Sequence, residues 1–133
     1  MKKLFVSIPM KGRSVKEITA SMEKMKRIAE VFEGEELELI DSFIEETPQA
    51  DCVCEGLWYL GESIKLLATA DVFIGIEESW DWKGCYIENE AAYKYGVKAY
   101  QVKAEFIIDN YRQLLEQNYK EYMASQQLEP KAC

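Results

Sequence analysis

The sequence predicts one small α/β domain, a doubly wound, mostly parallel sheet with helices on both faces. Two patterns predict it. Short apolar runs of strand length recur along the chain, and between them lie longer stretches whose apolar residues repeat at three- and four-residue steps. A third observation is size: 133 residues, 48% of them hydrophobic, suffice for a core without metal or disulfides.

Residues 3–8, Lys-Leu-Phe-Val-Ser-Ile, read as the first strand, and Pro9 and Gly12 break it into a loop over 9–13. From 14 to about 32 the apolar positions Val15, Ile18, Met22, Met25, Ile28, Ala29 and Phe32 trace one face of a helix. Ser14 with Glu17 three residues on has the form of a capping box, and Gly34 ends the helix. Residues 37–40 are a short second strand. The acidic stretch 41–54, with Pro48, reads as a loop crossing the strand ends. A second helix is expected over 56–69 through Leu57, Leu60, Ile64, Leu67 and Ala68. Asp71 opens the third strand, a third helix covers 84–95, and Gly96 stands where a C-terminal cap belongs. The fourth strand is 97–102, and a long last helix is expected over 105–125. The domain therefore spans 1–125, and 126–133, with Pro130, is expected to be a frayed tail. Strands alternating with helices give a sheet covered on both sides, of the flavodoxin- or Rossmann-like kind.

Composition excludes several classes of function. A net charge of −8 argues against binding a nucleic-acid polymer, which needs clustered Lys and Arg. No apolar run approaches the roughly 20 residues that span a bilayer, so no membrane partner is expected. Residues 1–12 begin with two lysines, but their apolar segment is too short for a signal peptide, and a cytoplasmic location is expected. The chain has no His, and its four Cys match no common zinc spacing; neither metal nor cofactor is expected, and the cysteines read as ordinary thiols.

The stretch 70–97 is where chemistry is expected. An apolar strand, a polar and aromatic loop over 77–83, and a helix with Glu88 near its start form a site-building unit of open α/β sheets. A carboxylate there would be held as an anion by the helix dipole, suited to a nucleophile; the alternative is one solvated acid among many. The loop from Ser7 through Pro9, Lys11, Gly12 and Arg13 suits either an anion site or a solvated turn. It has neither the Walker A spacing nor a dinucleotide fingerprint. Trp80, Asp81 and Trp82 place two indoles around an acid, able to stack on a flat base or equally to plug the sheet end. Cys85, at a helix start, is open to a lowered pKa or to simple burial.

These residues carry a resemblance. The run Ala-Asp-Val-Phe-Ile-Gly-Ile, then Gly84-Cys85-Tyr86-Ile87-Glu88, then Ala92 and Tyr95-Gly96-Val97, resembles the nucleoside 2-deoxyribosyltransferase superfamily, which includes nucleoside 5'-monophosphate N-glycosidases. Its G-x-x-x-E motif between two strands is matched at residues 84–88, the resemblance as a whole covers roughly residues 3–102, and Ser-Ile-Pro-Met-Lys-Gly looks like its first strand and substrate-binding loop. The resemblance implies that Glu88 attacks the anomeric carbon of a (deoxy)nucleoside, giving a covalent glycosyl–Glu intermediate that a second base or water resolves. It implies Asp81 as the acid serving the departing base and substrate contacts from Ser7, Pro9, Lys11, Gly12, Ser63 and Gly84; Arg13, Trp80 and Trp82 are expected to join them on their own chemistry, as an anion-binding base and two stacking indoles. The partners implied are a nucleoside or nucleotide, a nucleobase, and further copies of the chain in a homo-oligomer. One departure stands out: two residues before Gly84 the family has Asp or Ser, and this chain has Trp82. A monophosphate N-hydrolase using Lys11 and Arg13, and a nucleotide-binding protein without turnover, are the alternatives.

Overall fold

The local sequence sets each element. In the computed structural model, which describes residues 1–126, strand β1 is Lys3–Val6, with Leu4, Phe5 and Val6 all buried. Helix α1, Val15–Glu33, starts with the expected capping box: Glu17 N donates to Ser14 Oγ at 3.1 Å and Ser14 N to Glu17 Oε1 at 3.5 Å. It ends at Gly34, whose φ of 75° is the left-handed cap that glycine adopts without a Cβ penalty. Ile18, Met22, Met25 and Ala29 form the buried stripe, whereas Val15 and Phe32, at the two ends of the expected apolar face, are exposed.

Strand β2 is only Glu38–Leu39, and the 14 residues 41–54 carry no regular structure before helix α2, Glu55–Leu67. Strand β3, Val72–Ile76, is buried at all five positions, as a strand covered on both faces must be. A single 3-10 turn, Ser79–Asp81, leads into helix α3, Lys83–Lys94, and then strand β4, Lys98–Val102.

The expected long last helix is two pieces. A 3-10 turn at Ala104–Phe106 precedes helix α4, Tyr111–Gln126. Ala104, Ile107 and Ile108 are all buried, Ile107 O accepts from Ser21 Oγ at 3.2 Å, and Glu78 takes the Ala104 N–H at 3.2 Å. These inward anchors turn the chain before α4 can start. Gln126, expected in the tail, closes α4; the rest of that tail lies outside the described residues. Among the described residues no helix is long and apolar enough to cross a membrane.

All four strands are parallel, in the order β2-β1-β3-β4. The chain winds outward to β2 and then back across β1 to β3, so strand order reverses between β1 and β3. Ligand crevices form at such a reversal, beyond the C-terminal strand ends. Side-chain alternation divides the core in two. Leu4, Val6, Val72, Ile74 and Ile76 face α1 and the segment around Ile107. Phe5 and Phe73, whose rings stack at 5.9 Å, face α2 and α3 with Leu67 and Ala92.

Asp71 pins the base of the sheet, accepting from Lys3 N at 2.8 Å while its own N–H donates to Lys3 O at 2.9 Å. Nearby, the Glu33 carboxylate is 2% exposed and is met by Lys98 Nζ and Tyr100 Oη at 2.8 Å each and Lys2 Nζ at 3.4 Å. The Lys98 bond, then the Tyr100 bond, hold its pKa down to about 2.

Gly75 on β3 admits α3. A Cβ there would stand 2.9 Å from Asn89 Nδ2, Asn89 Oδ1 and Phe73 Cε1. Two outcomes are expected. Gly75→Ala forces α3 off the sheet and lowers stability in urea by about 1–3 kcal/mol, as overpacking does. Because the Glu33 pKa is lowered by folding, its contribution is present above the ordinary carboxylate pKa and is lost as pH falls towards 2. Acid melts of Glu33→Gln should lack that part of the pH dependence, and a parallel acid dependence in both proteins would contradict it.

Candidate functional site

At the reversal point, β1 and β3 deliver two small residues to one edge. Ser7 follows β1, is 1% exposed, and donates its N–H to Ile74 O at 2.9 Å. The register pairs Val6 with Ile74, so Ser7 stands level with Gly75. Above them α3 presents Cys85, Glu88 and Asn89. Ser7 Oγ donates to Glu88 Oε1 at 2.7 Å, joining residues 81 apart in sequence.

The position of α3 is fixed by Asn89. Its Nδ2 donates to Cys85 O at 2.9 Å, its Oδ1 accepts from Gln101 Nε2 at 2.8 Å, and its body rests on the bare face of Gly75. Sequence reasoning passed over Asn89. The available signal was a polar residue on the same helix as Ala92, beside the one glycine of a strand.

Electrostatics around Glu88 differ from expectation. Glu88 is the sixth residue of α3, beyond the first turn where the dipole acts. Burial dominates and raises its pKa from 4.5 to about 7, opposed by the Ser7 bond. The carboxylate is therefore not held firmly as an anion; it is poised to change protonation near neutral pH. Cys85 resolves to the buried reading: burial first, then the charge of Glu88, push its thiol up to about 12. Cys52 and Cys85 are free thiols, whereas Cys54 is disulfide-bonded, so the reading of ordinary thiols holds for the first two and not for Cys54. Among the described residues no cluster of potential metal ligands occurs.

The other expected residues divide into two groups. Ser7 and Glu88 are joined directly, and Gly84 is on the first turn of α3, where a Cβ would meet nothing within 4 Å. Gly61, two residues before the half-buried Ser63 on α2, is equally unobstructed. Trp80 is 73% exposed on the neighbouring loop.

The second group is turned towards the chain's own interior or towards α4. Arg13 donates to Pro9 O at 3.0 Å, to Ser21 Oγ at 2.5 Å and to Glu17 O at 3.4 Å, locking the loop onto α1. Lys11 pairs with Glu121 at 2.8 Å. Trp82 is buried, its ring 5.7 Å from that of Tyr111. Asp81 faces α4, where Tyr111 Oη donates to its carboxylate at 3.4 Å and Asn118 Nδ2 donates to its carbonyl at 2.6 Å. Burial raises the Asp81 pKa, and Tyr111 is pushed up to about 12 by burial and then by the charges of Glu78 and Asp81. A cavity of about 160 Å³ bordered by Lys11, Gly12, Trp82, Asn118 and Glu121 lies between this loop and α4; it does not include Ser7 or Glu88. Glu88 is half-buried and has one side-chain partner, Ser7, whereas Lys11 and Glu121 in the cavity wall pair with each other.

The raised pKa gives a stability signature. An acid that holds its proton more tightly when folded costs nothing below its unfolded pKa. The penalty grows as pH rises from 4.5 to about 7 and is complete above that. At about 1.4 kcal/mol per pH unit, ionised Glu88 costs on the order of 3 kcal/mol. Glu88→Gln should therefore be the more stable protein by up to about 3 kcal/mol at pH 8 and should lose that advantage at pH 4.5. Urea titrations at both pH values check it; an equal difference at both would show that Glu88 does not titrate in this range.

Comparison with known protein families, characterised proteins and solved structures returns no match.

Proposed function

We propose that the protein cleaves or exchanges the N-glycosidic bond of a (deoxy)nucleoside, with Glu88 as nucleophile. The observation that carries this is the Ser7–Glu88 pair: a half-buried carboxylate with a pKa of about 7, beyond the C-terminal strand ends at the reversal of strand order. The resemblance in the strand–loop–G-x-x-x-E segment supplies the reaction class.

In the first step a carboxylate oxygen of Glu88 forms a bond to C1' as the bond from C1' to the base nitrogen breaks. The bonding pair leaves with the base, which takes up a proton. In the second step a nitrogen of another base, or water, attacks C1', the glycosyl ester to Glu88 breaks, and the carboxylate is restored. The intervening transition states are oxocarbenium-like, and the buried anion stabilises that charge more strongly than it would in water. Ser7 orients one oxygen of Glu88, leaving the other for attack. Asp81 is engaged by Tyr111 and Asn118 of α4, so the departing base takes its proton from solvent, and exposed Trp80 on the same loop offers a stacking face.

Free nucleoside is preferred over its monophosphate as substrate. Lys11 and Arg13, which a phosphate would require, are each engaged within the chain. Assembly into a homo-oligomer belongs to the same proposal; large side chains left exposed on α2 and α3, including Leu57, Tyr86 and Ile87, support it.

Incubation with a 2'-deoxynucleoside and a second free base should yield the exchanged nucleoside, or free base and sugar. Glu88→Ala should lower kcat/KM on the order of 10⁴-fold or more while retaining the fold. Because the attacking group must be ionised, kcat/KM should rise with pH through about 7 and then level. Tryptophan fluorescence changes on nucleoside addition without any product would instead identify a binding protein.

A further inference from the structure

We infer that the outer edge of β4 is an interface that takes β4 of a second copy, antiparallel, so that the two sheets run into one. This rests on the homo-oligomer proposed above, not on the reaction of Glu88, and it assigns the assembly to a surface other than α2 and α3.

The sheet ends on one side in β2, two residues long, and on the other in β4, five residues long. A very short edge strand is one of the devices by which proteins keep sheets from adding strands; prolines, bulges and unpaired charges are others. β4, Lys-Ala-Tyr-Gln-Val, has no proline, and its register with β3 runs unbroken from Val72–Lys98 to Ile76–Val102, so it carries no bulge. Its one charge, on Lys98, is paired with Glu33 at 2.8 Å. Alternation decides which backbone groups are left over. Glu77 N donates to Val102 O at 2.9 Å, which turns the backbone groups of Lys98, Tyr100 and Val102 towards β3. Those of Ala99 and Gln101, both exposed residues, point away from the sheet, and among the described residues nothing bonds them.

A two-fold axis at Tyr100 satisfies all of these groups. Ala99 then stands opposite Gln101 of the second copy, and Gln101 opposite its Ala99, each pair exchanging both N–H···O bonds. Tyr100 meets its own counterpart at the close, non-hydrogen-bonded position, and Lys98 stands opposite Val102, so no like charges face each other. The α1 side of this edge is apolar. The Tyr100 ring lies 5.0 Å from that of Phe32, which borders an open groove of about 360 Å³ lined also by Ile28, Val31, Phe106 and Ile107. Phe32, Val31 and Phe106 are all exposed. The axis puts both α1 helices on the same side of the joined sheet, so the Tyr100 rings, with Phe32 against them, meet across it. Closure favours a second copy over a foreign strand: the joined sheet has the short β2 at both ends, and the assembly stops at two.

Sedimentation equilibrium and amide hydrogen exchange on the full chain test this. The wild-type protein should be a dimer in which the Ala99 and Gln101 amides are protected along with those of Lys98, Tyr100 and Val102. Ala99→Pro removes one outward N–H per copy, at an edge position where proline leaves the β3 bonds intact. It should raise the dimer dissociation constant about thirtyfold or more, the value of the two hydrogen bonds lost across the axis. Phe32→Lys should weaken the dimer without altering the strand, and in both variants the Gln101 amide should become fast-exchanging while circular dichroism stays that of the wild type. If Ala99→Pro does not fold, Phe32→Lys and the wild-type exchange pattern decide. Fast exchange at Ala99 and Gln101 within a wild-type dimer, or a dimer that these variants leave intact, would overturn the β4 interface. A dimer broken instead by Leu57→Lys would overturn it too, while keeping the oligomer proposed above; a monomeric wild type refutes both.

Discussion

The close approach of α3 to β3 at Gly75 is the constraint on which the site depends. With no side chain at that position, the amide of Asn89 lies against the strand backbone and ties α3 to its own first turn at Cys85 and to β4 at Gln101. Glu88, the preceding residue, is thereby lowered onto the end of β1, within 2.7 Å of Ser7. A single methyl at Gly75 would separate helix and strand where distances of a few tenths of an ångström decide whether that bond forms. The geometry of the carboxylate is thus set by packing on the neighbouring strand.

That packing puts an acid where the fold would be better served by an amide. Burial pushes the Glu88 pKa to about 7, and one hydroxyl bond from Ser7 recovers only part of the lost hydration. Glu33 shows the opposite arrangement at the other end of the sheet. Its carboxylate is surrounded by Lys98, Lys2 and Tyr100, and its pKa falls to about 2. One acid is paired with cations and ties α1 to β4; the other has a single hydroxyl partner. Perturbed carboxylates at a strand-order reversal are candidates for function, which is the ground for proposing Glu88.

Much of this was legible in the sequence, because the determining signals are local. The capping box at Ser14–Glu17, the stop at Gly34, the fully apolar β3 and the loop–helix unit after it needed only periodicity and turn chemistry. Glu88 could be named for the same reason. What escaped depended on contacts distant in sequence. The protonation behaviour of Glu88 follows from Ser7, 81 residues away, and from burial, so a dipole argument using α3 alone pointed to the wrong charge state. Lys11 and Arg13 looked available for an anion until Glu121 and Ser21 were brought beside them. The break before α4 arises because Ala104, Ile107 and Ile108 must all face inward, which amphipathic periodicity alone does not reveal. Trp82, out of place in the family pattern, fills the core beside Tyr111 instead of facing a sugar.

The loops at the strand ends are held mainly from α4, through Asn118 and Tyr111 at Asp81 and through Glu121 at Lys11, so the crevice owes its shape to polar contacts as well as to the sheet. What it is shaped to do is decided by whether Glu88 bonds covalently to a sugar. A 2'-fluoro-substituted nucleoside, whose electron-poor sugar slows breakdown of a glycosyl ester, should leave the denatured protein heavier by one fluoropentosyl group on the peptide containing Glu88. Turnover of the parent nucleoside with no such adduct, or an adduct on a different carboxylate, would contradict Glu88 as the nucleophile.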